Sequence, residues 1–113
     1  MRILVLGGDG YLGWPTAMQL SQRGHDVAVV DNMARRAWDH EFGAESLVPI
    51  CSLQERVAVW EAVSGKQIAA HVGDLTDYTF LEPLIKEFQP EAIVHYGEQR
   101  AAPYSMIDRR HAV

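Results

Sequence analysis

Apolar residues along this chain follow two alternating rhythms: short unbroken runs, and longer stretches with helical spacing. Residues 2–7, RILVLG, form a mostly apolar run closed by glycine, the pattern of a strand buried on both faces of a parallel sheet. Residues 12–23 carry Leu12, Ala17, Met18 and Leu20 at helical spacing, with Gly24 at the C-cap. Pro15 falls in the first turn of that helix, where its missing N–H costs little. Asp26–Asp31, DVAVVD, is a second strand. Strand, glycine turn, helix, glycine and strand within about 30 residues make a βαβ unit.

The connection from Asn32 to Lys66 is long and contains a helix of its own. Ser52 and Glu55 have capping-box spacing, Leu53, Val57, Trp60 and Val63 form one apolar stripe, and Gly65 stops it. The mixed stretch before it, NMARRAWDHEFGAESLVPI, reads as a loop that contacts a ligand or covers part of the fold. Gln67–Asp74 is a third strand. A helix from about Asp77 to Phe88 turns Leu81, Leu84, Ile85 and Phe88 inward, with Pro83 expected to displace or bend its first turn. Glu91–Gly97 is a fourth strand, and the last part of EQRAAPYSMIDRRHAV reads as the opening of another helix. Strands alternating with helices predict an α/β fold with a parallel sheet, and right-handed crossovers give it the strand order 3-2-1-4.

Composition narrows the classes without adding a function. The chain has 113 residues, 48% hydrophobic and 22% charged, as expected of one globular unit. Its 10 Lys and Arg against 15 Asp and Glu leave a net charge of -5, which disfavours a nucleic-acid partner. Cys51 is the lone cysteine and makes no intramolecular disulfide, so a reducing cytoplasm is the expected location. The run Ile3–Leu6 is too short for a membrane span or a signal peptide, and with Met1 so close before it no targeting segment is expected. The five histidines and Cys51 lack close metal-ligand spacing, so no metal is expected.

The chemistry gathers at GGDGYLG. Two patterns overlap there, Gly8, Gly10 and Gly13 as G-x-G-x-x-G, and Gly7, Gly10 and Gly13 as G-x-x-G-x-x-G. Either supplies a tight turn, a close approach of pyrophosphate to the backbone, and close packing of helix on strand. The N–H groups and positive dipole end of the helix then face the anion. A glycine triplet alone is equally a structural turn, but this one follows a strand, opens a helix, and has Asp31 ending the next strand 18 residues after Gly13. That context predicts a dinucleotide site, with the Asp31 carboxylate accepting from the adenosine ribose and favouring NAD over NADP.

Other candidates leave two readings open. Arg35 and Arg36 are either a solvated basic pair or stack on the adenine. Asp74 either caps the turn after the third strand or bonds the adenine amino group, with Leu75 lining that pocket. His95 reads as a satisfied core histidine on a buried fourth strand rather than a catalyst. Arg100, in EQR, is either a bidentate anion contact or an ion pair with Glu98.

GGDGYLGW, DNMARRAWDHEFGAESLVPI, VGDLTDYTFL and above all VHYGEQRAAPYSMIDR resemble the N-terminal part of the UDP-sulfoquinovose synthase family. These are extended short-chain dehydrogenases/reductases within the NAD-dependent epimerase/dehydratases, and the resemblance covers essentially the whole chain. It implies residues 1–113 of a partial Rossmann fold that binds NAD, with the catalytic half and the substrate-binding domain absent. The implied reaction oxidises C4 of UDP-glucose transiently, eliminates water, adds sulfite at C6 and returns the hydride, giving UDP-sulfoquinovose for sulfolipid head groups. The resemblance assigns Gly7, Gly10, Tyr11, Leu12 and Gly13 to the pyrophosphate, Asp31, Asn32 and Arg36 to the adenosine, and Asp74 and Leu75 to the adenine. It sets Gln99 and Arg100 beside the sugar. Leu12 and Pro15 depart from the commonest residues of the family's first motif, and neither removes a glycine.

The family's proton-transfer pair, Tyr-x-x-x-Lys, does not occur here. Tyr11, Tyr78, Tyr96 and Tyr104 are followed four residues on by Pro15, Glu82, Arg100 and Asp108. Two further readings therefore stand beside the synthase: a catalytically silent dinucleotide-binding module, and part of a nucleotide-sugar 4-epimerase or 4,6-dehydratase. A sheet ending after its fourth strand exposes apolar surface and an unpaired edge, so self-association or a complementing chain is expected.

Overall fold

β1 (Arg2–Leu6) is flanked by β2 (Asp26–Asp31) and β4 (Ala92–His95), and β3 (Ile68–Val72) lies outside β2, giving the parallel order 3-2-1-4 that the sequence predicts. The chain's structure is a computed structural model and describes residues 1–33, 37, 43 and 51–96. The described helices are α1 (Gly13–Gln22), α2 (Leu53–Ser64) and α3 (Tyr78–Phe88).

The unbroken apolar runs are explained by what covers each face. Side chains alternate along a strand. Ile3, Val5, Val27 and Val29 pack with Trp14 and Ala17 of α1 and Leu53 of α2. Leu4, Leu6, Ala28 and Val30 pack on the opposite face with Leu84 of α3. Each fully buried aliphatic side chain contributes about 1.5–3 kcal/mol, so the two central strands hold the sheet from both sides.

Local signals act as their chemistry dictates. Ser52 caps α2, its Oγ accepting from the Glu55 amide at 3.1 Å, and Gly65 ends that helix with φ 72°. Leu81, Leu84, Ile85 and Phe88 all join the core on the α3 side. Pro83 does not displace α3, which starts at Tyr78 and continues through it; the Asp77 cap and the buried face hold the helix despite one missing donor.

Several inward-facing positions differ from expectation. Leu12 is exposed, whereas Ala17, Met18 and Leu20 pack inward as expected and Trp14 and Ser21 are buried with them. Ser21 is acceptable there because Trp60 Nε1 donates to its Oγ at 2.9 Å. Gly24, with φ 92°, follows a C-cap at Arg23 instead of forming it. Val63 is 77% exposed, since the stripe from Leu53 through Val57 and Trp60 continues to Ser64 and leaves Val63 at its rim. His95 is exposed, not a core histidine: β4 pairs with β1 and alternates half-buried Ala92 and Val94 with exposed Ile93 and His95.

Asp77 gives a pH-dependent cap. Donation by the Thr79 hydroxyl at 2.6 Å, and then by its amide at 3.0 Å, holds the Asp77 carboxyl below its ordinary value. A carboxyl lowered in the folded state stabilises fully above its unfolded value, and that contribution is lost as pH falls through the folded one. Asp77→Asn, an equally good cap, is expected to keep the neutral-pH melting temperature and to flatten its acid dependence below the ordinary carboxylate range; Asp77→Ala lowers it at neutral pH. Thermal melts between pH 2 and 7 check this.

Candidate functional site

In a parallel sheet all strands end at one edge, and the candidate residues gather there. The glycine turn follows β1, Asp31 closes β2, and Gly73 and Asp74 follow β3. Gly73 N–H donates to the Asp31 carbonyl at 3.0 Å, and Tyr96 N–H to the Leu6 carbonyl at 2.8 Å, tying neighbouring strand ends together. β1 is where the strand order reverses, the usual place for a ligand crevice in such sheets.

The turn discriminates between the two glycine patterns. Gly7 has φ 83°, a region that side chains with a Cβ disfavour, and its amide donates to the Val30 carbonyl at 2.7 Å. A Cβ on Gly13 would overlap the Gly7 carbonyl, so α1 approaches the strand end as closely as only glycine permits. Gly10 is next to the same carbonyl, where a Cβ would lie 3.3 Å from the oxygen. Gly7, Gly10 and Gly13 thus shape the turn, whereas Gly8 is a packing position pressed against Val29 of β2. No side chain caps α1, whose N-cap is Leu12, and Tyr11 beside it is 78% exposed. A turn with glycine at its close-approach positions 7, 10 and 13, leading into a helix without a side-chain cap, fits a pyrophosphate.

Asp31 has a structural task that its spacing did not reveal. Oδ2 accepts from the Asp9 amide at 3.0 Å and Oδ1 from the Met33 amide at 2.7 Å. It therefore fixes the glycine turn relative to the segment after β2, in which Asn32 lies between Asp31 and Met33. Each carboxylate oxygen has a second lone-pair direction, which leaves capacity for a ribose hydroxyl.

Asp74 adopts the turn-capping geometry, its Oδ1 accepting from the Thr76 amide at 2.9 Å and hydroxyl at 2.8 Å. Leu75 packs on the α3-side core. Arg35, Arg36, Glu98, Gln99 and Arg100 lie outside the described residues. Sequence reasoning missed Arg56: its Nη1 donates to the Asp9 carbonyl at 3.1 Å and pairs with Asp9 Oδ1 at 3.3 Å. An arginine within a helix reads as solvated, and nothing in its spacing marks this contact.

Among the described residues, no helix is long and apolar enough to cross a membrane. The model of the NAD dependent epimerase/dehydratase family matches residues 3–112. The chloroplastic UDP-sulfoquinovose synthase of Spinacia oleracea is 54% identical over 112 residues, covering 99% of this chain and 23% of that protein. The UDP-sulfoquinovose synthase of Sulfolobus acidocaldarius is 50% identical over 113 residues, covering 100% of this chain and 29% of that protein. A UDP-glucose 4-epimerase from Bifidobacterium longum, solved in complex with NAD+ and UDP, superposes with a TM-score of 0.66 at 25% identity, over 95% of this chain and 27% of that one. The chain spans 23–29% of the length of these relatives. The matched model and the identities along the whole sequence make this chain a member of the NAD dependent epimerase/dehydratase family.

Proposed function

We propose that residues 1–113 are the NAD-binding Rossmann part of a UDP-sulfoquinovose synthase, which forms UDP-sulfoquinovose from UDP-glucose and sulfite. The observation that carries this reading is the identity of 54% and 50% to two such synthases along essentially the whole chain. It is supported by a glycine turn whose close approach excludes a Cβ at Gly13.

Bound NAD supplies reversible hydride acceptance, which transient oxidation at the sugar C4 requires. The chain's own residues bind and orient. Gly7 and Gly10 shape the turn, their own amides bonded within the protein, and the amides of Tyr11, Leu12 and Gly13 receive the pyrophosphate at the α1 N-terminus. Asp31, Asn32 and Arg36 hold the adenosine, and Asp74 and Leu75 border the adenine. Gln99 and Arg100 lie beside the sugar, Arg100 as an anion contact. None of the four tyrosines has a lysine four residues on, so these 113 residues do not carry a Tyr-x-x-x-Lys pair for proton transfer.

Titration calorimetry with NAD and NADP tests the cofactor reading. Asp31 disfavours a 2′-phosphate, so NAD is expected to bind more tightly. Asp31→Ala is expected to weaken NAD by about 10–100-fold, the loss of a hydrogen bond to a charged group. Preference for NADP, or affinity unchanged by the substitution, would contradict the assignment. The reaction is tested in a longer polypeptide carrying these residues: UDP-sulfoquinovose formed in proportion to sulfite supports the synthase, and sulfite-independent epimerisation supports the 4-epimerase reading.

A further inference from the structure

One residue of the glycine turn opposes the anion the turn would receive. Asp9 lies between Gly8 and Gly10 with its side chain 6% exposed, and an uncompensated carboxylate there repels a pyrophosphate settling onto the same backbone. Arg56, 47 residues further along the chain, meets it twice: Nη1 donates to the Asp9 carbonyl at 3.1 Å and to its Oδ1 at 3.3 Å. Its guanidinium stands 5.9 Å from the centroid of the Trp14 ring, and its side chain is 17% exposed. The backbone contact holds the turn, and the carboxylate contact offsets the Asp9 charge.

α2 is anchored well enough to make this a rigid fixture. Leu53 is fully buried at one end, and Trp60 Nε1 bonds Ser21 of α1 at 2.9 Å toward the other. With the Asp9 amide held by Asp31, the residue is gripped through its N–H, its carbonyl and its carboxylate. A partly desolvated ion pair loses much more when one partner is removed than when both are.

We infer that Arg56 is a positioning residue of the cofactor site: it pins the Asp9 carbonyl to set the shape of the glycine turn, and it neutralises the Asp9 carboxylate so that the turn accepts an anion. The inference rests on the NAD reading. NAD affinity measured calorimetrically for Arg56→Ala, Asp9→Asn and the double variant separates the two. Each variant is first checked for a cooperative melt, and the amide resonances of Gly7–Gly13 are recorded without cofactor.

Arg56→Ala is expected to weaken NAD by about ten-fold and to shift the turn's amide resonances, because the Asp9 carboxylate loses this guanidinium beside the phosphates. Asp9→Asn, which keeps an acceptor and removes the charge, binds NAD at least as tightly as the unsubstituted chain. The double variant regains most of the affinity lost in Arg56→Ala, a recovery that a merely structural role for Arg56 would not give. Arg56→Ala binding as well as the parent, or a double variant as weak as Arg56→Ala, would overturn the inference. A parent chain that binds no NAD overturns the cofactor reading and this inference with it; where the parent binds, the ratios among variants decide the inference alone.

Discussion

Gly13→Ala is expected to abolish measurable NAD binding and to destabilise the fold by about 1–3 kcal/mol, the usual cost of forcing a methyl into filled space. The added Cβ would overlap the Gly7 carbonyl, and the obstacle is backbone on both sides. Relief requires α1 to retreat from the strand end, and Trp14 and Ala17, one and four residues on, are buried against Ile3, Val5 and Val29. Separating helix from strand opens the turn whose amides would hold the pyrophosphate. Urea unfolding and NAD calorimetry on the variant check both parts. A stable variant that binds like the parent would show that the close approach is dispensable.

Leu4→Ala tests the other face. Leu4 is fully buried at the middle of β1, between Ala28 of β2 and Ile93 of β4, in the cluster completed by Leu84. Removing its side chain is expected to destabilise by about 2–5 kcal/mol, a large part of the 5–15 kcal/mol that holds an ordinary domain. The loss appears as a lower urea midpoint with little change in slope. NAD affinity of the molecules that remain folded is expected to change little, because the glycine turn rests on the opposite cluster through Trp14 and Ala17. A loss under 1 kcal/mol would contradict the two-sided core.

The elements and their order were legible because each depends on local chemistry or on sheet geometry. Strands covered on both faces read as the runs ILVL and VAVV, and Ser52, Gly65 and Asp77 mark helix ends by capping. What escaped depends on partners distant in sequence. Ser21 is buried because Trp60, 39 residues on, satisfies it. Arg56 is held by Asp9, and Asp31 spends both oxygens on backbone amides. Spacing placed these residue types without naming their partners. His95 was assigned to the core from the apolar run around it, whereas alternation on β4 turns it outward with Ile93, which is 50% exposed. The overlap of two glycine patterns was undecidable from letters alone; the φ of Gly7 and the contact of Gly8 with Val29 separate turn from packing.

The most direct test is a titration of the isotope-labelled chain with NAD, followed by the amide resonances of each residue. Shifts that saturate together at Gly7–Gly13, Asp31, Asn32, Asp74 and Leu75, with β-strand interiors unmoved, are the predicted result. No shifts at the glycine turn, or shifts confined to the Tyr78 and Ile85 face of α3, would contradict a dinucleotide site at the end of β1.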